Sequence, residues 1–179
     1  MLDNRSDELH SLIESDDWRQ CERPTIVGVV ITPSGKVIMV QPRNAQPNGW
    51  IFPQGHINRG ETLLESTLRE VEEELGYDAS ILDVSKAKFI GKGAAKELHG
   101  KQYFVVALPL QKWQKPKLNR ENRQYCTVGG PGELAKKVVD CSQTKKRLIQ
   151  LALRMTIREG LLYSQRWKAS HANILLSSL

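Results

Sequence analysis

The sequence predicts an α/β or α+β sandwich of strands and helices, and three observations carry that prediction. Runs rich in β-branched residues, split by turn residues, lie between Thr25 and Gln41; a capped helix follows over 62–76; and helical periodicity returns near the C-terminus. With 179 residues, 40% hydrophobic and 26% charged, the chain has ordinary globular composition and enough length for one sizeable core. We expect an N-terminal extension over 1–22, one domain over 23–160 and a C-terminal tail over 161–179.

In order along the chain, Ser6–Ser15 fits a short helix capped by Ser6, with Leu9, Leu12 and Ile13 on its apolar side. Thr25–Ile31 and Lys36–Gln41 are strands of a hairpin, joined by the turn Thr32-Pro33-Ser34-Gly35. Thr62 with Glu65 three residues on spells a capping box, and Gly76 is the residue type preferred just past a helix end. Between them Leu64, Leu68, Val71 and Leu75 keep the spacing of one buried face, whereas Glu70, Glu73 and Glu74 converge on another. Ile81–Ile90 and Lys101–Leu108 read as further strands. The stretch from Trp113 to Gly132 is polar and basic and long enough for a substrate-facing loop. Glu133–Val139 and Ser142–Glu159 are helices, the second with Leu148, Leu151, Ala152 and Met155 facing the core. The tail, with Tyr163 and Trp167, suits a third helix or a contact between copies of the chain in a homo-oligomer.

No apolar run approaches the length of a membrane span and the first residues are polar and acidic, so a cytoplasmic protein with no membrane partner is expected. Cys21, Cys126 and Cys141 are odd in number and lack metal spacing, which predicts reduced thiols. The net charge of +6 comes from basic residues concentrated between Lys86 and Arg120, a surface suited to a polyanion such as an RNA end or to plain solubility.

Like charges at i, i+3 and i+4 destabilise a helix by roughly 0.2–0.5 kcal/mol per pair. Glu70, Glu73 and Glu74 therefore need compensation, and a hard divalent cation such as Mg2+ would turn repulsion into a ligand set. A solvated acidic face is the plainer reading, and the spacing of the whole stretch argues against it. Gly55, five residues, Glu61, seven residues and then Arg69-Glu70-Val71-Glu72-Glu73-Glu74-Leu75-Gly76-Tyr77 match the signature of the Nudix hydrolases at every fixed position. RPTIVGVVITPSGKVIMV followed by GWIFPQGHINRGE further resembles the bacterial RNA pyrophosphohydrolases and dinucleoside polyphosphate hydrolases, with His56 in place of a Gly and Ile51 in place of a polar residue.

This resemblance implies a mixed, partly antiparallel sheet held between helices, and a Mg2+-dependent hydrolysis, with Mn2+ a substitute, that splits a nucleoside diphosphate linked to another group. RNA 5′ ends or dinucleoside polyphosphates are the expected substrates. Glu70, Glu73 and Glu74 match the family's metal-binding carboxylates, with the main chain of Gln54 and a loop carboxylate, Glu121 or its rival Glu97, completing the set. One of these carboxylates would take the proton from water. Arg69, paired with Glu61 or Glu73, would orient loop against helix, and Gly55 would tolerate strained backbone beside the ligand. Arg43, Lys101, Arg120 and Arg123 would meet phosphates, with His56 either a phosphate contact or a loop substitution; Trp50, Tyr103 and Tyr125 would stack a base or fill the core. A nucleotide-pool sanitiser, a nucleoside diphosphate sugar pyrophosphatase and a non-catalytic nucleotide- or protein-binding module are the alternatives.

Overall fold

Among the described residues, six strands form one mixed sheet. In the computed structural model, which describes residues 23–94, 101–162 and Trp167, the strands are β1 (Arg23–Ile31), β2 (Val37–Pro42), β3 (Gln54–His56), β4 (Lys88–Ala94), β5 (Lys101–Pro109) and β6 (Asn122–Val128). The order is β4-β5-β1-β2-β6, with β3 paired to β1. Only β1 and β5 run parallel; the other pairings are antiparallel.

The hairpin opens as it leaves its turn. Ile31 pairs with Val37 beside the turn, and further along the segment after residue 50 enters between the two strands. Val40 and Ile51 exchange backbone hydrogen bonds at 2.9 Å, Gly28 N–H donates to Pro53 O at 2.9 Å, and Thr25, Ile26 and Val27 pair with His56, Gly55 and Gln54. The loop that follows β2 thus ends as a strand fixed against the centre of the sheet.

Alternation along the strands sends residues to two cores, one on each face of the sheet. Ile26, Val30, Ile38, Val40, Phe104, Val106 and Leu108 face helix α1 (Leu63–Leu75). Val27, Val29, Met39, Val105 and Ala107 face helices α2 (Pro131–Lys137) and α3 (Gln143–Arg158), together with Trp50 and Phe52. The result is the mixed sheet held between helices that the resemblance implies, and the α/β sandwich that the sequence pattern predicts. Trp167, only 1% exposed, joins the second core, and its Nε1 donates to Gly35 O at 3.2 Å, so the tail is built into the sandwich at that point. The expected Ser6–Ser15 helix, Tyr163, the rest of the tail and Glu97 lie outside the described residues.

α1 has the expected caps. Thr62 and Glu65 form the reciprocal capping box, and Gly76 closes the C-terminus in the left-handed conformation at φ 68. Its buried face differs from the expected one: Leu63, Thr67, Val71 and Leu75 are buried with Glu70 and Glu74, whereas Leu64 and Leu68 are half-exposed. The reason lies beneath the helix. Gly28 offers no side chain, and a Cβ there would come within 3.0 Å of Val71 Cγ2 and 3.4 Å of Thr67 Cγ2, so the helix seats on the strand through small residues.

Two further expectations are corrected. Ile81–Ile90 is not one strand: Leu82 makes an isolated bridge to Leu110, and a 3-10 turn over Val84–Lys86 intervenes before β4. Asp83 sets that turn, accepting from Ser85 Oγ at 2.7 Å and pairing with Lys86 Nζ at 2.7 Å. The stretch from Trp113 to Gly132 is not all loop, because β6 runs through it and pairs along β2. Helix α3 begins after its Ser142 cap as expected, but its buried residues are Leu148, Ile149, Ala152, Leu153 and Thr156, with Leu151 and Met155 half-buried. No described helix is long and apolar enough to cross a membrane.

Candidate active site

The site lies where the end of β3, the exposed edge of α1 and the start of β6 meet. Residues 70 and 74 of a helix are about 40° apart around the axis, whereas residue 73 falls about 60° to the other side of 70. Accordingly Glu70 and Glu74 turn in toward the sheet, being 9% and 7% exposed, and Glu73 points outward with its side chain 55% exposed. The three carboxylates expected to converge divide into a buried pair and an outer member.

Gly55 is what admits Glu70. A Cβ at this position would stand 2.0 Å from Glu70 Cδ and Oε1 and 2.2 Å from Oε2. Its φ is not among the positive values in the structure, so the glycine serves to make room for a carboxylate and does not relieve backbone strain, which corrects the expectation. One residue earlier, Gln54 N–H points at Glu74 Oε1 at 3.5 Å, bringing the Gln54 main chain beside the second buried carboxylate.

Arg69 ties this loop to the helix. Its Nε and Nη2 grip Glu61 at 2.7 and 3.0 Å, Nη2 also donates to His56 O at 2.7 Å, and Nη1 reaches Glu70 Oε1 at 2.6 Å and Glu73 Oε1 at 3.5 Å. Both expected partners, Glu61 and Glu73, are therefore engaged, Glu61 far more closely. Glu61 in turn accepts from Asn58 N and Nδ2 at 3.1 Å and from Ser66 Oγ at 2.7 Å. With Arg69 the main cause, the Glu61 carboxyl is held down at about 2. The fork geometry of a guanidinium suits such bidentate pairing.

The buried pair behaves oppositely. Burial pushes the Glu74 carboxyl up to about 7, against the hydrogen bonds from Asn122 and Gln54, with Glu70 and Glu121 adding repulsion. Burial also raises Glu70, opposed by Arg69 and helped by the charges of Glu73 and Glu121. Three carboxylates thus repel one another in a partly dry pocket, a state that a cation would relieve.

Glu121 is exposed just before β6, and among the described residues its carboxylate makes no hydrogen bond or ion pair. Arg43 lies across from it: Arg43 N–H donates to Glu121 O at 2.8 Å, its Nε to Arg120 O at 2.6 Å, and Arg123 Nη2 to Arg43 O at 2.7 Å. Arg43, Arg120 and Arg123 therefore gather beside Glu121. His56 is exposed at the loop end. Tyr103, by contrast, is 5% exposed within the core under α3, and Trp50 is buried there too with Lys137 Nζ 4.5 Å over its ring; the structure does not bring either to the carboxylates.

Asn122 is the residue that sequence reasoning missed. It is 4% exposed and its Nδ2 donates to Glu74 Oε2 at 3.2 Å, across a separation that no local pattern reveals.

A Nudix domain model matches residues 22–133. The chain belongs to the Nudix family. Among curated relatives, the RNA pyrophosphohydrolase of a Nitratiruptor species is 30% identical over 84 residues, covering 45% of this chain and 54% of the relative. That of Campylobacter jejuni (strain RM1221) is 36% identical over 59 residues, covering 31% and 38% respectively. The chain thus spans about half or less of the length of these Nudix relatives. The fold matches a solved C. elegans Ap4A hydrolase at TM-score 0.58 and 15% identity, covering 77% of this chain and 98% of that one, and a Nudix hydrolase from Nitrosomonas europaea at TM-score 0.57 and 16% identity, covering 83% and 94%.

Nudix hydrolases generally use divalent cations. Among the described residues no three His, Cys, Asp or Glu side chains stand together so as to hold a metal ion. The donors nevertheless fit a hard cation of the Mg2+ type, which is commonly held by one or two carboxylates and completes its shell with water and substrate phosphate. Glu70 and Glu74, both raised by burial and by the charges of neighbouring carboxylates, provide such a pair.

Proposed function

We propose that this Nudix chain hydrolyses a pyrophosphate bond in a nucleotide substrate with the help of Mg2+, and that the substrate is a triphosphorylated RNA 5′ end or a dinucleoside polyphosphate. The observation that carries the reading is the buried pair Glu70 and Glu74 against the Gln54-Gly55 loop, with the charge of Glu121 near enough to repel both and three arginines gathered beside Glu121. The RNA pyrophosphohydrolase relatives favour the RNA end.

Glu70 and Glu74, beside the Gln54 main chain, would hold the cation, with Glu73 on the outer flank and Glu121 adding negative charge around it. When bound, it neutralises charge on phosphate oxygens and makes water a better nucleophile. The chain supplies the rest. Arg69 is a positioning residue, holding Glu70 and the His56 carbonyl in fixed relation. Gly55 keeps the space into which Glu70 projects. The Glu121 carboxylate, with no hydrogen-bond partner among the described residues, is available to receive a proton from water. Arg43 spends its Nε on Arg120 O and keeps its terminal nitrogens for a phosphate chain, with Arg120 and Arg123 adding positive charge. His56, exposed at the end of the loop whose carbonyl Arg69 holds, is open to a phosphate, whereas the buried Tyr103 takes no part.

The test is turnover of 5′-triphosphorylated RNA and free nucleoside triphosphates, read as pyrophosphate released, and of diadenosine tetraphosphate, read as mononucleotides formed, each with Mg2+ and with chelator. Turnover of the RNA and of diadenosine tetraphosphate should exceed that of free nucleotides and vanish on chelation. Glu74→Gln should lower it about a hundredfold or more. Parent-level turnover by Glu74→Gln would remove the cation assignment, and preference for free nucleotides would replace the RNA reading with a nucleotide-pool one. Nucleotide binding without any Mg2+-dependent turnover would instead mark a non-catalytic module.

A further inference from the structure

β6 opens with a buried amide whose surroundings are unusually complete. Asn122 Nδ2 carries two hydrogens, and both are used: one toward Glu74 Oε2 at 3.2 Å, the other toward Asn119 Oδ1 at 3.3 Å. Asn119 Oδ1 also accepts the backbone N–H groups of Glu121 at 3.1 Å and Asn122 at 3.2 Å. A single side-chain oxygen therefore gathers three donors and sets the backbone of Glu121 relative to the side chain that touches Glu74.

The strand pairing explains how Asn122 comes to face inward. β2 and β6 shift register between Gln41 and Pro42, so that Gln41 lies opposite Gln124 and Pro42 opposite Asn122. The extra residue, Arg123, is left without a partner in the ladder and stands exposed. Such irregularities re-aim side chains beside functional sites. Here the shift puts Asn122 into the interior while the Arg43 contacts to residues 120, 121 and 123 secure the outer side of the same turn.

We propose that Asn122, held by Asn119, is a positioning residue that aims the Glu74 carboxylate at the cation and couples it to Glu121. This rests on the reading that Glu74 is a cation ligand and Glu121 the carboxylate beside it. A hydrogen bond to a ligating carboxylate fixes its rotamer, and losing such a partner costs about 10–100-fold in metal affinity or activity. An aliphatic residue of similar size would fill the space but leave Glu74 free to turn, and an acid would add a fourth negative charge to the pocket.

The experiment is titration of the full chain with Mn2+ in the absence of substrate, followed by the electron paramagnetic resonance signal of free Mn2+. Melting curves serve to check folding, and turnover is measured in parallel. Asn122→Ala should weaken Mn2+ binding about tenfold or more and lower kcat with a smaller change in KM. Asn119→Ala should weaken it in the same direction, whereas Asn119→Asp, which keeps an acceptor oxygen for the three donors, should recover most of the loss. Should Asn122→Ala not fold, the Asn119 pair decides by itself. Parent-like Mn2+ affinity in Asn122→Ala or, failing that variant, in Asn119→Ala would overturn the proposal if Glu74→Gln has lost binding. If Glu74→Gln also binds Mn2+ at parent strength, the ligand assignment itself has failed and the positioning role falls with it.

Discussion

Gly55→Ala places the smallest possible addition at the most constrained point of the site. The new Cβ would meet Glu70 Cδ and Oε1 at 2.0 Å, where non-bonded carbons settle at about 3.5–4.0 Å. The carboxylate must therefore retreat by about 1.5 Å. Because the clashing atoms are the tip of a side chain that can rotate, the stability cost should fall at the low end of overpacking, about 1 kcal/mol, or about 2–4 °C in melting temperature for a chain of this size. The functional cost should be much larger, since a misplacement of about 1 Å at a reacting centre costs about a hundredfold in rate. The retreat also breaks the 2.6 Å contact between Arg69 Nη1 and Glu70. Pyrophosphate release from triphosphorylated RNA measures the rate, and a double-mutant comparison isolates the cause. If Gly55→Ala acts through Glu70, then adding it to Glu70→Ala should change turnover by less than about twofold, because the clash no longer exists. Full additivity, or a Gly55→Ala variant turning over near the parent rate, would refute the steric account.

Glu61→Gln should destabilise the chain at neutral pH. Its carboxyl drops from the ordinary 4.5 to about 2, and for a pair this open to solvent the stabilisation should be about 1 kcal/mol or less. Because the folded value is depressed, this contribution is complete above about pH 4.5 and is lost as pH falls toward 2; melting curves of parent and variant should converge over that window, and a gap as wide at about pH 2.5 as at neutral pH would contradict the account. Trp167→Ala removes a side chain that is 1% exposed and bonded to Gly35 O, and should cost about 3–5 kcal/mol. Mn2+ affinity at low temperature should stay unchanged, so a loss of binding with an intact fold would place the tail closer to the site than the structure does.

Local chemistry is the legible part of this protein. Thr62, Glu65 and Gly76 announce both ends of α1 because capping groups act within a turn of where they stand. The same helix shows where periodicity misleads. Leu64 and Leu68 suit the core by apolar character, yet Thr67, Glu70 and Glu74 occupy the inner face, because this helix borders a polar site and covers a strand that carries Gly28. β6 is hidden for a related reason. Only Asn122 and Val128 are buried at its two ends, and a strand that among the described residues pairs with β2 alone needs no apolar alternation. The bond between Asn122 and Glu74 joins residues 48 apart in sequence; nothing in either neighbourhood foretells it.

The interval from Gly55 to Glu61 is a mechanical dimension as well as a motif. Its first end is anchored by pairing with Ile26, its far end by the Arg69 fork, and between them the His56 carbonyl is held by that same guanidinium. The loop is therefore a strut of set length between sheet and helix. One inserted residue would move the anchored strand by a single position, reversing which of its side chains face each side of the sheet, or else pull Glu61 off Arg69. Natural variation in length should accordingly collect elsewhere in the chain, while this interval keeps its count even where its letters change.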